Sequence, residues 1–224
     1  PELDEGSLYA LDRIPGRDRA ETGLRAALGL GWTRLMPNGD SFGLLAGRVI
    51  RAEDDPALEE AGLDTGLGGR RSDWLVAASF QQPEGLAAAG RALIDDDADL
   101  SRADLRLGLM RPGMQVAAGY AFVADPSEDE SREQLVLDAG WQLAQGWWAE
   151  AGARYDLALD RPQRANLGLA WRNECITVEA ALEREWDEPG GDPAETSFDL
   201  SVRLAGFGRV ADAPGTVARR SCMR

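Results

Sequence analysis

The chain has 224 residues, 44 % of them hydrophobic, and a formal net charge of -15 built from 39 acidic residues against 24 cations, every one an arginine. That acidity, with the arginines scattered along the chain, excludes a nucleic-acid partner, because phosphate backbones need a concentrated basic patch. The absence of histidine removes the commonest general base and metal ligand, so a Ser-His hydrolase is unavailable. No apolar run reaches the roughly 18 residues of a membrane-spanning helix. Two cysteines, Cys175 and Cys222, are too few for a disulfide framework and have no metal spacing.

The first residue is Pro1, with no basic or apolar leader, so a fragment of a longer protein is expected. Residues 1–19 read as a loop. From Ala20 onward apolar and polar residues alternate in segments of about ten to twelve, the length a tilted strand needs to cross a bilayer. Short turns are predicted at Pro37-Asn38-Gly39-Asp40, Pro83-Glu84-Gly85, Arg111-Pro112-Gly113, Ala144-Gln145-Gly146 and around Arg172-Asn173-Glu174. Between them lie longer acidic connections at 52–69, 95–101, 124–131, 160–163 and 187–194. Ala103, Leu105, Leu107 and Leu109 alternate with Asp104, Arg106 and Gly108. Leu135, Leu137, Ala139 and Trp141 alternate with Gln134, Asp138 and Gln142. In the last segment Phe198, Leu200, Val202 and Leu204 alternate with Asp199, Ser201 and Arg203.

Roughly eleven strands result. The expected fold is an all-β, antiparallel transmembrane outer-membrane β-barrel, of which residues 20–206 supply the C-terminal strands. Short and long connections in alternation give it a sidedness: turns toward the periplasm, residues 1–19 and the long loops outward, and residues 207–224 as a periplasmic tail. Eleven strands with an open edge do not close an even-numbered barrel, so the opening strands are expected elsewhere.

Tryptophan placement tests this independently, since barrels carry aromatic girdles at both interfaces. Trp32, Trp141, Trp147, Trp148 and Trp171 sit beside short turns, Trp74 and Trp186 at the opposite strand ends, and all but Trp148 share the apolar parity. The plain alternative is that they are core residues of a soluble acidic β-sandwich. Many positions of that parity are only alanine, as at Ala149, Ala151 and Ala153, which keeps the sandwich alive. An unrelated porin or transporter barrel is the other competitor.

Other features read as structural. Asp95-Asp96-Asp97-Ala98-Asp99 offers carboxylates for Ca²⁺ but lacks calcium-loop spacing, so a solvated loop is expected. Gly29-Leu30-Gly31 and Gly66-Leu67-Gly68-Gly69 do not continue into a nucleotide loop; Gly29 and Gly31 fall on the polar parity, where small residues relieve crowding. Arg25, Arg106, Arg154, Asp156, Glu179 and Arg203 form a polar inner wall, solvated or paired across strands.

Several segments resemble a known family. Leu11-Asp12-Arg13-Ile14-Pro15-Gly16 is similar to a loop element of alphaproteobacterial LptD, and Arg71-Ser72-Asp73-Trp74 to a strand start. Trp171-Arg172-Asn173-Glu174-Cys175, followed by Ser197-Phe198-Asp199-Leu200-Ser201-Val202 and Leu204-Ala205-Gly206-Phe207-Gly208, resembles that family's C-terminus. One departure is Ile176, where some relatives carry a second cysteine. The resemblance implies an outer-membrane barrel that inserts lipopolysaccharide into the outer leaflet. It further implies an LptE-like lipoprotein plug, a periplasmic bridge reached through an N-terminal domain, and a lateral seam lined by Phe198, Leu200, Val202 and Leu204. It also implies that Cys175 is disulfide-bonded outside this chain; read from the residues alone, a bond to Cys222 or an idle thiol is the alternative, and no cofactor is expected.

Overall fold

Strict alternation between two chemistries favours the extended backbone, because only a period of two keeps every apolar side chain on one face. The computed structural model describes residues 3–10, 23–54, 66–124, 131–173, 175–186 and 194–204. Eleven strands form one antiparallel sheet: β1 (Arg25–Leu35), β2 (Ser41–Arg51), β3 (Trp74–Gln81), β4 (Leu86–Ile94), β5 (Leu100–Arg111), β6 (Met114–Val123), β7 (Arg132–Ala144), β8 (Trp147–Asp156), β9 (Arg161–Arg172), β10 (Ile176–Glu185) and β11 (Glu195–Leu204). Each strand pairs with its chain neighbours, and the order runs from β1 to β11 without a crossover. Among the described residues no pairing joins β11 to β1, so the sheet is open at both ends. No helix of the described chain is long and apolar enough to cross a membrane, which says nothing about strands.

Five hairpin turns lie where the sequence predicts them. Gly85 shows why glycine is used: its φ of +96° is a left-handed conformation, and a Cβ there would strike the Met110 carbonyl. Asn173 closes the β9–β10 turn through its side chain, whose Oδ1 accepts the N–H groups of Cys175 at 2.8 Å and Ile176 at 2.7 Å. At the other end of the strands the alternation of short and long connections is weaker than expected. The predicted loops at 95–101 and 160–163 are tight: β5 already starts at Leu100 and β9 at Arg161. Ala98 (φ +69°) and Asp160 (φ +48°) take the left-handed conformation that glycine takes in the opposite turns.

Register locks the two faces. Phe198 stands opposite Leu182, then Leu167, Ala151, Ala139, Val116, Leu109 and Leu86, one apolar row across eight strands. A row of opposite parity runs Ser201, Glu179, Ala170, Trp148 and Gln142. The apolar face is the exposed one: Leu30, Trp32, Leu44, Leu107, Leu137, Leu169 and Leu200 all stand open. A sandwich buries that face against a second sheet, and the described strands form a single sheet. The buried cluster lies on the polar face instead, where Leu3, Leu8, Val49, Leu67, Leu75 and Leu93 pack together. A strand of ten residues tilted by about 40° spans roughly 25 Å, the height of an outer-membrane hydrocarbon band.

Candidate functional site

β11 is the end of the sheet, bonded to β10 and to no further strand among the described residues. Its alternation, Glu-Thr-Ser-Phe-Asp-Leu-Ser-Val-Arg-Leu, sets Phe198, Leu200, Val202 and Leu204 on one face, opposite Leu182, Ala180, Val178 and Ile176 of β10. These four remain 52 to 68 % exposed. A shallow apolar trough continues from Phe198 toward β7, lined by Trp141, Ala149, Leu167, Leu169 and Ala180. Its floor is low because alanines separate the larger side chains. The strand therefore presents an oily row, a polar row and one side of its backbone at a single edge.

The tryptophans occupy both strand ends on the apolar face. Trp147 stands opposite Trp171 beside the β7–β8 and β9–β10 turns, Trp141 opposite Ala149, and Trp32 opposite Leu44 with its ring edge-on to Phe42 at 5.8 Å. At the other end Trp74 opens β3 and Trp186 follows β10, its N–H donating to the Gln163 carbonyl at 2.9 Å. Each of these two rings carries an arginine: the Arg48 guanidinium lies 5.0 Å from the Trp74 centroid and that of Arg184 lies 5.2 Å from Trp186. Trp148 takes the opposite parity, against Gln142 and Ala170.

On the polar face, charges are matched across strands. Arg172 reaches Glu150 at 3.2 Å and Glu179 at 3.4 Å, and Glu179 accepts in turn from Arg203 and Ser201. Arg164 pairs with Glu183 and Glu185, and Arg91 with Asp104 at 3.0 Å. Asp156 accepts from the Gln163 amide at 2.9 Å and the Leu159 N–H at 3.0 Å. Apart from the largely buried Arg91–Asp104 pair, these are exposed pairs that fix side-chain order more than stability, because water and salt screen them.

Arg71-Ser72-Asp73-Trp74, visible in the sequence only as a strand start, is a junction. Arg71 bridges to Ile50. The buried Ser72 hydroxyl accepts the Val49 N–H at 2.8 Å and donates to the Asp73 carbonyl at 2.9 Å, while Asp73 accepts from the Ser101 hydroxyl at 2.5 Å. Arg48, only 7 % exposed although it has apolar parity, donates to the Ser72 carbonyl at 2.6 Å and to Asp96 at 2.8 Å. The guanidinium's hydrogen bond holds the Asp96 carboxyl below its ordinary value. A lone arginine interrupting the apolar row of β2 was the available signal for this cluster. The remaining acidic run folds on itself, Asp95 Oδ1 accepting the N–H groups of Asp97 at 2.9 Å and Asp99 at 2.8 Å. Among the described residues no group of three or more histidine, cysteine or carboxylate side chains is placed to hold a metal.

Cys175 sits in the β9–β10 turn, at the same strand ends as Trp147 and Trp171. Cys222, the Leu11–Gly16 element and the Ala205–Gly208 segment lie outside the described residues. The edge strand, the aromatic ends and the cross-strand charges thus belong to one two-faced wall, along which the described sequence-predicted site residues are distributed.

No curated protein matches this chain. A family model does: LPS transport system D matches residues 1–147, from the segment ahead of β1 to the first residue of β8. That stretch is more than half of the chain, and it is distinct from the C-terminal fifty residues that carry the strongest resemblance in the sequence. The chain belongs to the LptD family, outer-membrane proteins of lipopolysaccharide transport and not enzymes.

Proposed function

We propose that this chain is part of the wall of an outer-membrane barrel that inserts lipopolysaccharide into the outer leaflet, releasing it sideways at a seam lined by Phe198, Leu200, Val202 and Leu204. The observation that carries the reading is β11, an edge strand whose exposed apolar row continues the lipid-facing surface of the sheet. In hydrocarbon an unpaired backbone group costs several kcal/mol, so such an edge demands a partner strand, the first strand of the closed barrel. An amphiphile leaves where that pairing is weakest: its acyl chains meet the apolar row while its sugars stay with Asp199, Ser201 and Arg203.

The exposed apolar face supports membrane residence, and the tryptophans at both strand ends support a girdle of Trp32, Trp74, Trp141, Trp147, Trp171 and Trp186. In this orientation the hairpin turns face the periplasm, with residues 207–224 as a tail on that side and residues 1–19 outward. Cys175 then lies in an oxidising compartment and forms a disulfide with a partner beyond this chain, Cys222 being the alternative. The polar face lines a lumen that receives an LptE-like lipoprotein, and a periplasmic bridge delivers the lipid through an N-terminal domain. A porin shares the two-faced wall; the family assignment favours lipid insertion over diffusion of solutes.

The test is photo-crosslinking during lipopolysaccharide delivery in the assembled complex. A benzophenone amino acid at Leu200 should give a lipopolysaccharide adduct, and one at Leu107, on the same face but mid-sheet, should not. Equal adducts at both positions would remove the seam.

A further inference from the structure

The polar face of β1–β4 carries an apolar seat that the transport reading leaves unused. Residues 3–10 lie across it as one self-capped turn. Leu8 N–H donates to the Asp4 carbonyl at 2.9 Å, Ser7 N–H to Asp4 Oδ1 at 2.6 Å and Asp4 N–H to Ser7 Oγ at 2.8 Å. Leu3 and Leu8 are fully buried in one cluster with Val49, Leu67, Leu75 and Leu93, and Ala27 and Leu45 pack against it. The seat is cut to shape by glycine. A Cβ at Gly29 would run into the Tyr9 hydroxyl, and one at Gly47 would stand 2.6 Å from Leu8 Cδ2.

At the mouth of the seat stands Arg91. Its side chain is 17 % exposed, bonded to Asp104 at 3.0 Å, with the carboxylates of Asp4 at 3.7 Å and Glu5 at 3.9 Å. Arg106 joins Arg91, Asp104 and Glu5, with Ala89 and Gly90, in lining a small recess there. Residues 3–10 therefore place two oily side chains in a dry notch and two carboxylates on a guanidinium. That is the pattern of an anionic amphiphile, and it recurs nowhere else on this otherwise charged and small-residue face among the described residues.

We propose that this seat is a binding site for an anionic amphiphile, a phosphate-bearing headgroup on Arg91 with an acyl tail among Val49, Leu75 and Leu93, and that residues 3–10 occupy it as a built-in stand-in. The inference rests on the lipopolysaccharide-transport reading for its ligand class. Displacing the turn leaves the sheet's ladder intact, because among the described residues its backbone pairs with no strand and it meets the seat through side chains. A tethered occupant acts at an effective concentration on the order of millimolar, so a ligand enters only when it is locally abundant, as an amphiphile delivered into the lumen would be.

The experiment uses the full-length protein in its complex, in phosphatidylcholine nanodiscs, with dodecyl phosphate carrying a terminal diazirine as probe. In wild type, labelling of the peptides holding Val49, Leu75 and Leu93 should be weak. The paired substitutions Leu3→Asp and Leu8→Asp should raise it about tenfold by vacating the seat, and adding Arg91→Gln should reverse the gain. A dodecanol probe should not label, and inorganic phosphate at equal concentration should not compete. Unchanged labelling, equal labelling by dodecanol, or competition by inorganic phosphate overturns the site, the last pointing to a free-phosphate site instead.

Should the double variant fail to assemble, hydrogen exchange decides in the intact chain. Dodecyl phosphate should speed exchange in residues 3–10 of wild type and not of Arg91→Gln; no change in either overturns the proposal. Labelling that succeeds while Leu200 gives no lipopolysaccharide adduct leaves the site and removes the seam. The reverse result leaves the seam and makes the seat merely structural.

Discussion

Gly47 and Gly108 are both strand glycines, yet their surroundings set opposite expectations. A Cβ at Gly47 meets Leu8 and stands 2.7 Å from the Leu28 carbonyl, a backbone atom that cannot swing away, whereas one at Gly108 meets nothing within 4 Å. Gly47→Ala should therefore cost about 1 to 3 kcal/mol through overpacking. Gly108→Ala should gain about 0.5 to 1 kcal/mol by restricting the unfolded chain. Urea titrations followed by tryptophan fluorescence will separate them. Asp96 supplies a pH test in the β4–β5 turn. Its hydrogen bond from Arg48 depresses the folded carboxyl below its unfolded value, so the stabilisation is complete above the unfolded value near 4 and disappears as pH falls through the folded one. Asp96→Asn should lower the unfolding midpoint at pH 7, and the gap to wild type should close in strong acid. A gap independent of pH contradicts the pairing.

Among the elements, β11 gives the sharpest contrast, because adjacent residues face opposite media. Leu200→Arg near the middle of the strand should cost about 2 to 4 kcal/mol in hydrocarbon, and Asp199→Arg, on the polar face, far less. Equal losses of assembly, read as heat-modifiable mobility in electrophoresis, would reject the assigned faces. The strands and the five hairpin turns were legible because period-two alternation and turn glycines are local signals, and the cross-strand register then carried the same parity from β1 to β11. The tightness of the connections at Ala98 and Asp160 was not legible. Acidic stretches read as loops, and nothing in the composition says that a non-glycine residue will take a positive φ. Arg48 was overlooked for a related reason: its partners Ser72, Trp74 and Asp96 gather only when β2, β3 and the β4–β5 turn are brought together. The docking of residues 3–10 was equally hidden, since a short run with two leucines and two acids has no periodicity of its own.

For the molecule as a whole, the two faces and the edge define where covalent links should form. Cys175 lies in a turn at one rim, and the proposed periplasmic location predicts a disulfide there. Non-reducing electrophoresis of the full-length protein should show a mobility change that dithiothreitol abolishes and Cys175→Ser removes. Identical migration with and without reductant would mean a free thiol. The strand order has a separate consequence for how the wall is made. Because every strand's partners are its predecessor and its successor, each new hairpin can be laid against the last without threading any segment through a gap, and the average loop to be closed stays short. Growth of such a ribbon proceeds in steps of one hairpin, so gaining or losing a pair of strands changes the girth of the wall while leaving its inside and outside unexchanged.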